Sequence, residues 1–269
     1  MAEKTEKLGW SEWYQLNKRD LPWRKTKDPY LIWVSEIMLQ QTRVEAVKPY
    51  YERFIATLPT VKDLAEADEE VILKLWEGLG YYSRVRNMQI AAKQIMDEYE
   101  GVFPHDHKNL LKLKGIGPYT AGAVGSIAFD LLVPAVDGNV LRVMSRITAD
   151  PSDISLQATK KEWENRLTEI MPSEYSGDLN QALMELGATV CLPNGMPKCM
   201  ICPIRKYCKA YYKNATMLYP VKAEKKARTV EKLNVFFCVY QDKIAISKRP
   251  EKGLLPGLWE LPNTKRDIA

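Results

Sequence analysis

The spacing of apolar residues constrains the fold most strongly, because they recur every three or four positions from residue 1 to about residue 212. This spacing is typical of amphipathic helices, and strand-like alternation is rare in the same stretch. Asp28, which precedes a proline, is predicted to cap a helix that starts there. Thr60 and Asp68 are predicted as further N-caps, and Gly101 as a helix stop. The main body is therefore predicted to be all-α.

Two segments follow the helical part. Residues 213–232 carry a charged stretch without apolar periodicity, which predicts a linker. Residues 233–269 contain the apolar runs NVFFCVY and KIAISKR on either side of Gln241-Asp242, which predict two short strands joined by a turn. Cys238, within the first run, is most simply a small core residue. The segment is predicted to be the start of an incomplete β domain, because the strands are too few to enclose a core.

Composition excludes two broad classes of protein. The chain is 46% hydrophobic and 27% charged, which are values of an ordinary globular protein and not of a disordered one. The sequence has no run of 18 apolar residues, and its first ten residues are too polar for a signal peptide. The net charge of +5 permits nucleic-acid binding without indicating it. We therefore expect a cytosolic protein without membrane association.

A glycine-rich turn lies between two predicted helices in residues 110–129, LLKLKGIGPYTAGAVGSIAF. Gly115 and Gly117 allow a sharp turn that presents amide N–H groups at a helix N-terminus, where a phosphate can bind. Lys112 and Lys114 add positive charge nearby. A bare G-x-G is more often an ordinary turn, but with its flanking residues the segment matches the helix-hairpin-helix pattern of DNA-binding proteins.

Two acidic residues stand in apolar surroundings. Glu36 is the only charged residue in positions 29–42, so desolvation should raise its pKa and keep it available as a proton donor. Asp137 follows the run LLVPAV and opens a helix, so amide hydrogen bonds should keep it ionised. Such a pair suits acid-assisted cleavage of a glycosidic bond. Taken singly, a salt-bridged glutamate and a simple helix cap are the more common explanations.

Four of the five cysteines form a C-x7-C-x2-C-x5-C pattern within 18 residues, at Cys191, Cys199, Cys202 and Cys208. In a cytosolic chain such a cluster predicts a metal site rather than disulfides. A zinc ribbon usually has two C-x2-C pairs, whereas this compact loop has one. The spacing favours an iron-sulfur cluster and leaves zinc open.

The combined motifs resemble the endonuclease III superfamily of DNA glycosylases over residues 8–212, and within it the adenine DNA glycosylase (MutY) branch. The segments that carry the resemblance are LPWR, SEIMLQQTRV, EGLGYYSRVRN, VDGNVLRV and NQALMELGATVC. The resemblance implies a two-lobed, all-α helix-hairpin-helix domain over residues 1–212, with one [4Fe-4S] cluster in the loop 191–208. It also implies that residues 233–269 begin a pyrophosphohydrolase-like domain.

The resemblance assigns a role to each site residue. Glu36 would protonate adenine and later help to activate water, and Asp137 would stabilise the cationic sugar by its charge or by a transient covalent bond. Tyr119 and Asn139 would support these acids. The pocket for the flipped adenine would be lined by Arg24, Leu39 and Gln181, and the contacts to the gap and to the opposite strand would come from Gln41, Thr42 and Tyr81, with Gly115 and Gly117 at the hairpin. The cluster ligands would be Cys191, Cys199, Cys202 and Cys208.

Tyr119 separates two kinds of activity. Bifunctional members carry a nucleophilic lysine at this position, which forms a Schiff base with the sugar. Tyrosine there predicts a monofunctional enzyme that uses water to release adenine mispaired with 8-oxoguanine or guanine. The predicted partner is double-stranded DNA containing mispaired adenine, bound by a monomer in a bacterial-type cytosol at the nucleoid. The alternatives are a bifunctional glycosylase-lyase of the endonuclease III type and a non-catalytic helix-hairpin-helix DNA-binding protein.

Two features depart from the family pattern. Seven residues separate Cys191 from Cys199, where the family usually has six. A surface loop can absorb one residue, so we expect the cluster to survive. The family's C-terminal domain helps to recognise the oxidised guanine, and only its beginning is present in this sequence.

Overall fold

A computed structural model of the chain describes residues 9–223 and 230–265. Residues 224–229 of the predicted linker and 266–269 of the predicted β segment lie outside the described residues. The described chain divides into two compact units, residues up to 223 and residues from 224 onward.

The first unit is helical, which confirms the predicted fold class. Its described α-helices are α1 Trp10–Asn17, α2 Pro29–Leu39, α3 Val44–Thr57, α4 Val61–Glu66, α5 Glu69–Leu75, α6 Ser83–Glu98, α7 His107–Leu110, α8 Pro118–Phe129, α9 Gly138–Thr148, α10 Gln157–Ile170, α11 Ser176–Thr189 and α12 Lys209–Tyr212. Short 3₁₀ turns lie at Pro22–Arg24, Cys199–Ile201, Arg205–Tyr207 and Thr216–Leu218. No helix in the described ranges is both long enough and apolar enough to cross a membrane.

The predicted helix starts have distinct chemistry. Asp28 accepts a hydrogen bond from the Tyr30 N–H at 2.8 Å, which confirms it as the cap of α2. Thr60 forms a capping box with Asp63, whose carboxylate accepts from the Thr60 N–H at 2.9 Å. Asp68 occupies the N-cap position of α5 but makes no capping bond with its side chain. Helix starts are therefore predicted well by local polar residues, although not every cap is used.

Two hydrophobic cores divide the helical unit into two lobes. The first lobe is built from residues 21–124, and its largest fully buried side chains include Trp33, Trp76 and Phe54. The second lobe combines α1 with residues 136–204. Because each core encloses its own helices, the surface between the lobes is free to form a cleft.

Helix α2 lies at the centre of the first lobe. It packs against α3 and α8, and its residues from Ile32 to Met38 are all buried. A helix that is apolar on every side is typical of this position. Glu36 is the one carboxylic acid of the helix and is buried with it, at 6% exposure.

Close backbone packing positions the segment that leads to Asp137. A Cβ on Gly122 of α8 would lie 2.1 Å from the Pro134 carbonyl oxygen, so only glycine allows this approach. The buried Asn180 side chain accepts from the Ala135 N–H at 3.0 Å and donates to the Val133 carbonyl at 3.0 Å. These contacts fix the backbone immediately before Asp137.

The second unit contains three antiparallel pairs of two-residue strands. The strands are β1 Asn234–Val235, β2 Val239–Tyr240, β3 Lys243–Ile244, β4 Ser247–Lys248, β5 Trp259–Glu260 and β6 Asn263–Thr264, paired as β1-β6, β2-β3 and β4-β5. Gln241 and Asp242 both have positive φ, at 45° and 60°, as a two-residue hairpin turn requires. The predicted turn is present, but the strands are much shorter than the apolar runs. The prediction that Cys238 is a core residue is wrong, because this side chain is exposed.

Candidate active site

The cleft between the two lobes has a volume of about 930 Å³. Its lining includes every residue predicted for catalysis or base binding except Tyr81. These residues are Arg24, Glu36, Leu39, Gln41, Thr42, Gly115, Gly117, Tyr119, Asp137, Asn139 and Gln181. The first lobe supplies Glu36 from α2, and Asp137 stands at the N-terminus of α9, so each lobe contributes one carboxyl group.

Glu36 forms a short hydrogen bond with Tyr119. The Tyr119 hydroxyl donates to Glu36 Oε2 at 2.6 Å, and its oxygen lies 3.8 Å from the Met184 sulfur. Burial raises the pKa of Tyr119 well above its usual value, so the phenol stays protonated and acts as a donor. Because Oε2 accepts this bond, Oε1 is the oxygen of Glu36 that remains able to carry and transfer a proton.

Burial raises the pKa of Glu36 to about 7. The hydrogen bond from Tyr119 opposes this rise, whereas the negative charge of Asp137 adds to it. A carboxyl group with a pKa near neutrality can both release and accept a proton at physiological pH. Glu36 therefore has the properties of a general acid that can also serve as a base.

Asp137 caps α9 and is held by two N–H donors. Its Oδ1 accepts from the Val140 N–H at 2.7 Å and its Oδ2 from the Asn139 side-chain amide at 2.6 Å. Arg142 donates to the Asn139 oxygen at 2.9 Å and to the Gly187 carbonyl at 2.8 Å, which fixes the orientation of the amide. The carboxyl group therefore faces the cleft in one defined position.

The sequence predicts that amide hydrogen bonds keep Asp137 ionised, but the structure adds burial, which acts in the opposite direction. Burial raises the pKa of Asp137 above its usual value, while the bonds from Val140 and Asn139 and the charge of Arg142 oppose the rise. Both carboxyl groups are thus desolvated. They differ in their donors, because Asp137 receives two N–H bonds whereas Glu36 receives one hydroxyl bond. Burial of Asp137 in the cleft, which a helix-cap pattern does not reveal, explains why its pKa is raised where the sequence predicts stabilisation of the ionised form.

A buried ion-pair network orients Arg24 in the wall of the cleft. Glu185 of α11 is completely buried, and its carboxylate binds Arg24 at 2.7 Å and Arg19 at 2.7 Å. Burial tends to raise the pKa of Glu185, but the hydrogen bonds from both arginines lower it below its usual value. Glu185 therefore stays ionised and neutralises much of the positive charge of the two guanidinium groups.

Arg84 connects the end of α2 to the loop that carries Tyr81. Its Nη1 donates to the carbonyls of Ile37 and Gln40, each at 2.7 Å, and its Nη2 donates to the Leu79 carbonyl at 3.0 Å. Helix α2 ends at Leu39, next to the carbonyls that Arg84 binds. Tyr81 lies outside the lining of the cleft, is 65% exposed, and has its ring 5.7 Å from the Arg84 guanidinium.

The glycine turn has the conformation that its sequence predicts. Gly115 has a φ of +78°, and a Cβ there would lie 2.9 Å from the Asn87 Cβ, so glycine is required. Gly117 is the N-cap of α8, with Pro118 in the first turn and open space around the position of a Cβ. The exposed amide end of α8 beside Lys114 suits an anionic group such as a phosphate.

Four cysteines line one pocket next to α9. Cys191, Cys199, Cys202 and Cys208 share its wall with apolar residues and with Arg146, whose Nη1 lies 3.3 Å from the Cys191 sulfur. Burial raises the pKa of Cys202 to about 11 and also raises the pKa of Cys199 and Cys208. A raised pKa keeps a thiol protonated, whereas a metal centre binds the thiolate form. Binding of a metal centre would therefore release the thiol protons.

The four thiols share one pocket. Within residues 9–223 and 230–265, no three His, Cys, Asp or Glu side chains converge closely enough to hold one metal. Four cysteine thiols in one pocket, beside an arginine, are a donor set that an iron-sulfur cluster can use.

Glycine at position 187 allows α11 to approach the support of Asp137. A Cβ on Gly187 would lie 2.6 Å from the Cβ of Asn139, so the Gly187→Ala substitution must displace Asn139. We expect this variant to lose about 1–3 kcal/mol of unfolding free energy, as overpacked sites do. Gly138→Ala is the control, because no atom lies within 4 Å of its Cβ position. Urea denaturation of both variants would contradict the expectation if their losses were equal.

The fold and the cleft define the class of protein to which the chain belongs. Residues 34–173 match the family described as HhH-GPD superfamily base excision DNA repair protein. A solved structure of a thermostable thymine-DNA glycosylase has a TM-score of 0.70 and 30% sequence identity, and the match covers 79% of this chain and 97% of that one. The chain is therefore a helix-hairpin-helix protein of the base-excision class.

Curated relatives narrow this class further. An adenine DNA glycosylase from Arabidopsis thaliana is 38% identical over 96% of this chain and 47% of its own length. One from Buchnera aphidicola subsp. Schizaphis graminum is 38% identical over 93% of this chain and 72% of its own length. The chain belongs to the adenine DNA glycosylase family, as its motifs predict, and it spans about half the length of the plant relative.

The motifs did not single out three residues that hold the site together. Arg84 and Glu185 lie within the matched segments EGLGYYSRVRN and NQALMELGATVC, and Arg142 lies within VDGNVLRV. All three act through contacts with residues more than 40 positions away. For Glu185, the signal available in the sequence was a charged residue on an otherwise apolar helix face.

Proposed function

We propose that the chain is a monofunctional DNA glycosylase that hydrolyses the N-glycosidic bond of adenine mispaired with 8-oxoguanine or guanine. The observation that carries the proposal is the pair of desolvated carboxyl groups in one cleft, with the Tyr119 hydroxyl bound to Glu36. Membership of the adenine DNA glycosylase family supports the choice of base.

The residues of the cleft suit a stepwise hydrolysis. Protonated Glu36 gives its proton to the N7 atom of adenine, and the bond between C1′ and N9 then breaks with its electrons passing to the base. Asp137 stabilises the positive charge that develops on the sugar. Water adds to C1′, and the Glu36 carboxylate takes up the proton that water loses. The products are free adenine and an abasic site.

Tyr119 favours water over an amine as the nucleophile. Burial keeps its phenol protonated, and its hydroxyl is occupied by the bond to Glu36. A Schiff base needs a primary amine, which this side chain lacks. We therefore propose base removal without strand cleavage.

The proposed test is a single-turnover assay on short duplexes containing adenine opposite 8-oxoguanine, guanine or thymine, and thymine opposite guanine. We expect adenine to be released opposite 8-oxoguanine and guanine, with strand breaks only after alkali. Prompt nicking without alkali would indicate the bifunctional activity instead. Tight binding without release of any base would indicate a non-catalytic DNA-binding protein, and release of thymine would indicate a different substrate.

We also propose that Cys191, Cys199, Cys202 and Cys208 hold one [4Fe-4S] cluster, as their shared pocket supports. When bound, such a cluster supplies a rigid, redox-capable cross-link within the loop 191–208. We expect about four irons per chain in the purified protein. Cys202→Ser should lose most of this iron and lower the unfolding midpoint, whereas Cys238→Ser, at an exposed cysteine, should change neither. A wild-type protein that contains zinc and no iron would contradict the assignment.

The remaining assignments concern partners and domains. We propose that a monomer binds double-stranded DNA containing mispaired adenine, since one chain supplies both carboxyl groups of the cleft. We place this activity in the cytosol, at the nucleoid. Residues 1–212 would form the glycosylase domain and residues 213–232 a linker. Residues 233–269 would begin a pyrophosphohydrolase-like domain, which the β2-β3 hairpin supports.

A further inference from the structure

Lys160 lines the same cleft as the two carboxyl groups. It lies in the first turn of α10, its side chain is half-buried, and it shares the wall of the cleft with Asp137, Gly138 and Asn139. No sequence motif marks this lysine. Its place in the lining of the cleft makes its charge relevant to DNA.

The cations in the wall of the cleft are not equivalent. Arg19 and Arg24 are both bound to the buried carboxylate of Glu185 at 2.7 Å. Lys160 makes no ion pair and no side-chain hydrogen bond with any residue that the structure describes. Of these three cations, Lys160 alone keeps its charge and its three donors available for a ligand.

Asp137 does not serve as the missing partner. Its two oxygens are occupied by the Val140 and Asn139 N–H groups, and the cation whose charge lowers its pKa is Arg142. The half-buried Lys160 is therefore left without an anion among the described residues, and an anion that arrives with the ligand can pair with it.

We propose that Lys160 binds a backbone phosphate next to the nucleotide whose base enters the cleft. This inference rests on the proposed function, which places the sugar of that nucleotide beside Asp137. Phosphates flank the sugar on both sides, and Lys160 and Asp137 line the same cleft. It acts as a positioning residue, which holds the sugar near Asp137 and reduces the repulsion between DNA and the carboxyl groups.

Lys161 provides a matched control. It is the next residue of α10, has the same charge, is exposed, and pairs with Glu164 at 3.5 Å. It does not line the cleft. Lys160→Gln and Lys161→Gln therefore change the net charge equally but remove the cation from different places.

The first experiment measures the salt dependence of DNA binding. The probe is a duplex with an uncleavable tetrahydrofuran abasic analogue opposite guanine, so that excision does not interfere. We expect Lys160→Gln to reduce the slope of log K against log salt by about 0.9, the value for one phosphate contact. The ratio of the wild-type affinity to the Lys160→Gln affinity should therefore fall about 3-fold between about 50 and about 200 mM salt. Lys161→Gln and Lys160→Arg should retain the wild-type slope.

The second experiment locates the phosphate. A single neutral methylphosphonate is placed in turn at each phosphate on either side of the analogue. At one position the modification should weaken wild-type binding but have little further effect on Lys160→Gln, because the two changes remove the same contact. An unchanged slope in Lys160→Gln, an equal loss in Lys161→Gln, or additive effects at every phosphate would overturn the proposal. Failure of the proposed function is distinguishable, since the wild type would then bind the duplex but release no adenine in the excision assay.

Discussion

Glu36→Gln is expected to lower the single-turnover rate of adenine release by about 10²–10⁴-fold, which is the usual contribution of a general acid. Glutamine has nearly the same size and can still accept the hydroxyl of Tyr119, but it has no acidic proton to give. The measurement is release of adenine from a duplex with adenine opposite 8-oxoguanine, under excess enzyme. A variant that released adenine as fast as the wild type would remove Glu36 from the mechanism.

The wild type should show the matching pH dependence. Because the pKa of Glu36 is raised to about 7 and the protonated form is the active acid, the rate should fall as pH rises through this value. The residual rate of Glu36→Gln should lack this descending limb. A wild-type profile that was flat between about pH 6 and about pH 8 would contradict the assigned role.

Stability gives an independent control for the same variant. The folded-state pKa of Glu36, about 7, lies above its ordinary value of 4.5, so the unfolded chain ionises first as pH rises. The wild type therefore loses stability across this interval, by about 3 kcal/mol in total at about 1.4 kcal/mol per pH unit. Glu36→Gln has no such titration and should be the more stable protein at pH 8. Loss of activity together with gain of stability would exclude misfolding as the cause.

Asp137→Asn is expected to lower the rate of adenine release by about 10²–10³-fold, the typical effect of removing one group that stabilises a developing charge. Asparagine is as good an N-cap as aspartate, so the bond from the Val140 N–H and the start of α9 should persist. The variant therefore removes the charge and the acceptor of the Asn139 bond but keeps the start of the helix. Single-turnover kinetics on the same duplex measure the effect, and thermal unfolding provides the control.

A second readout distinguishes charge from packing at Asp137. The negative charge of Asp137 helps to raise the pKa of Glu36, so its removal should shift the descending limb of the pH profile toward lower pH. Asn139→Ala, which removes a donor to Asp137 but leaves its charge, should slow the reaction without this shift. If Asp137→Asn left both the rate and the pH profile unchanged, Asp137 would be a helix cap only.

Local sequence patterns predict the elements of the fold because short-range chemistry determines them. The Asp-Pro start of α2 and the Thr60 capping box depend on residues within three positions of one another. Gly115 is required by a positive φ, which its position between two helices already indicates. The burial of Glu36 also follows from its apolar neighbours, because α2 is too hydrophobic to lie at a surface.

Long-range contacts determine what the patterns did not show. Helix α2 stops at Leu39 because Arg84 binds the carbonyls of Ile37 and Gln40, and Gln41 then takes a φ of +58°. The pKa of Asp137 is raised and not lowered, since its carboxyl group is desolvated in the cleft. Lys160 and Lys161 are indistinguishable in the sequence, and only the packing of α10 against the cleft separates them.

The network of Glu185 with Arg19 and Arg24 has a consequence for how the cleft can vary among relatives. Loss of Glu185 leaves two guanidinium groups without the carboxylate that binds both, and breaking a buried pair in this way typically costs about 3–5 kcal/mol. Substitutions of Glu185 alone are therefore selected against even where the pocket chemistry would tolerate them. Among relatives, we expect these three positions to be replaced together, in pairs or as a triple. The other residues of the cleft wall should vary independently of them.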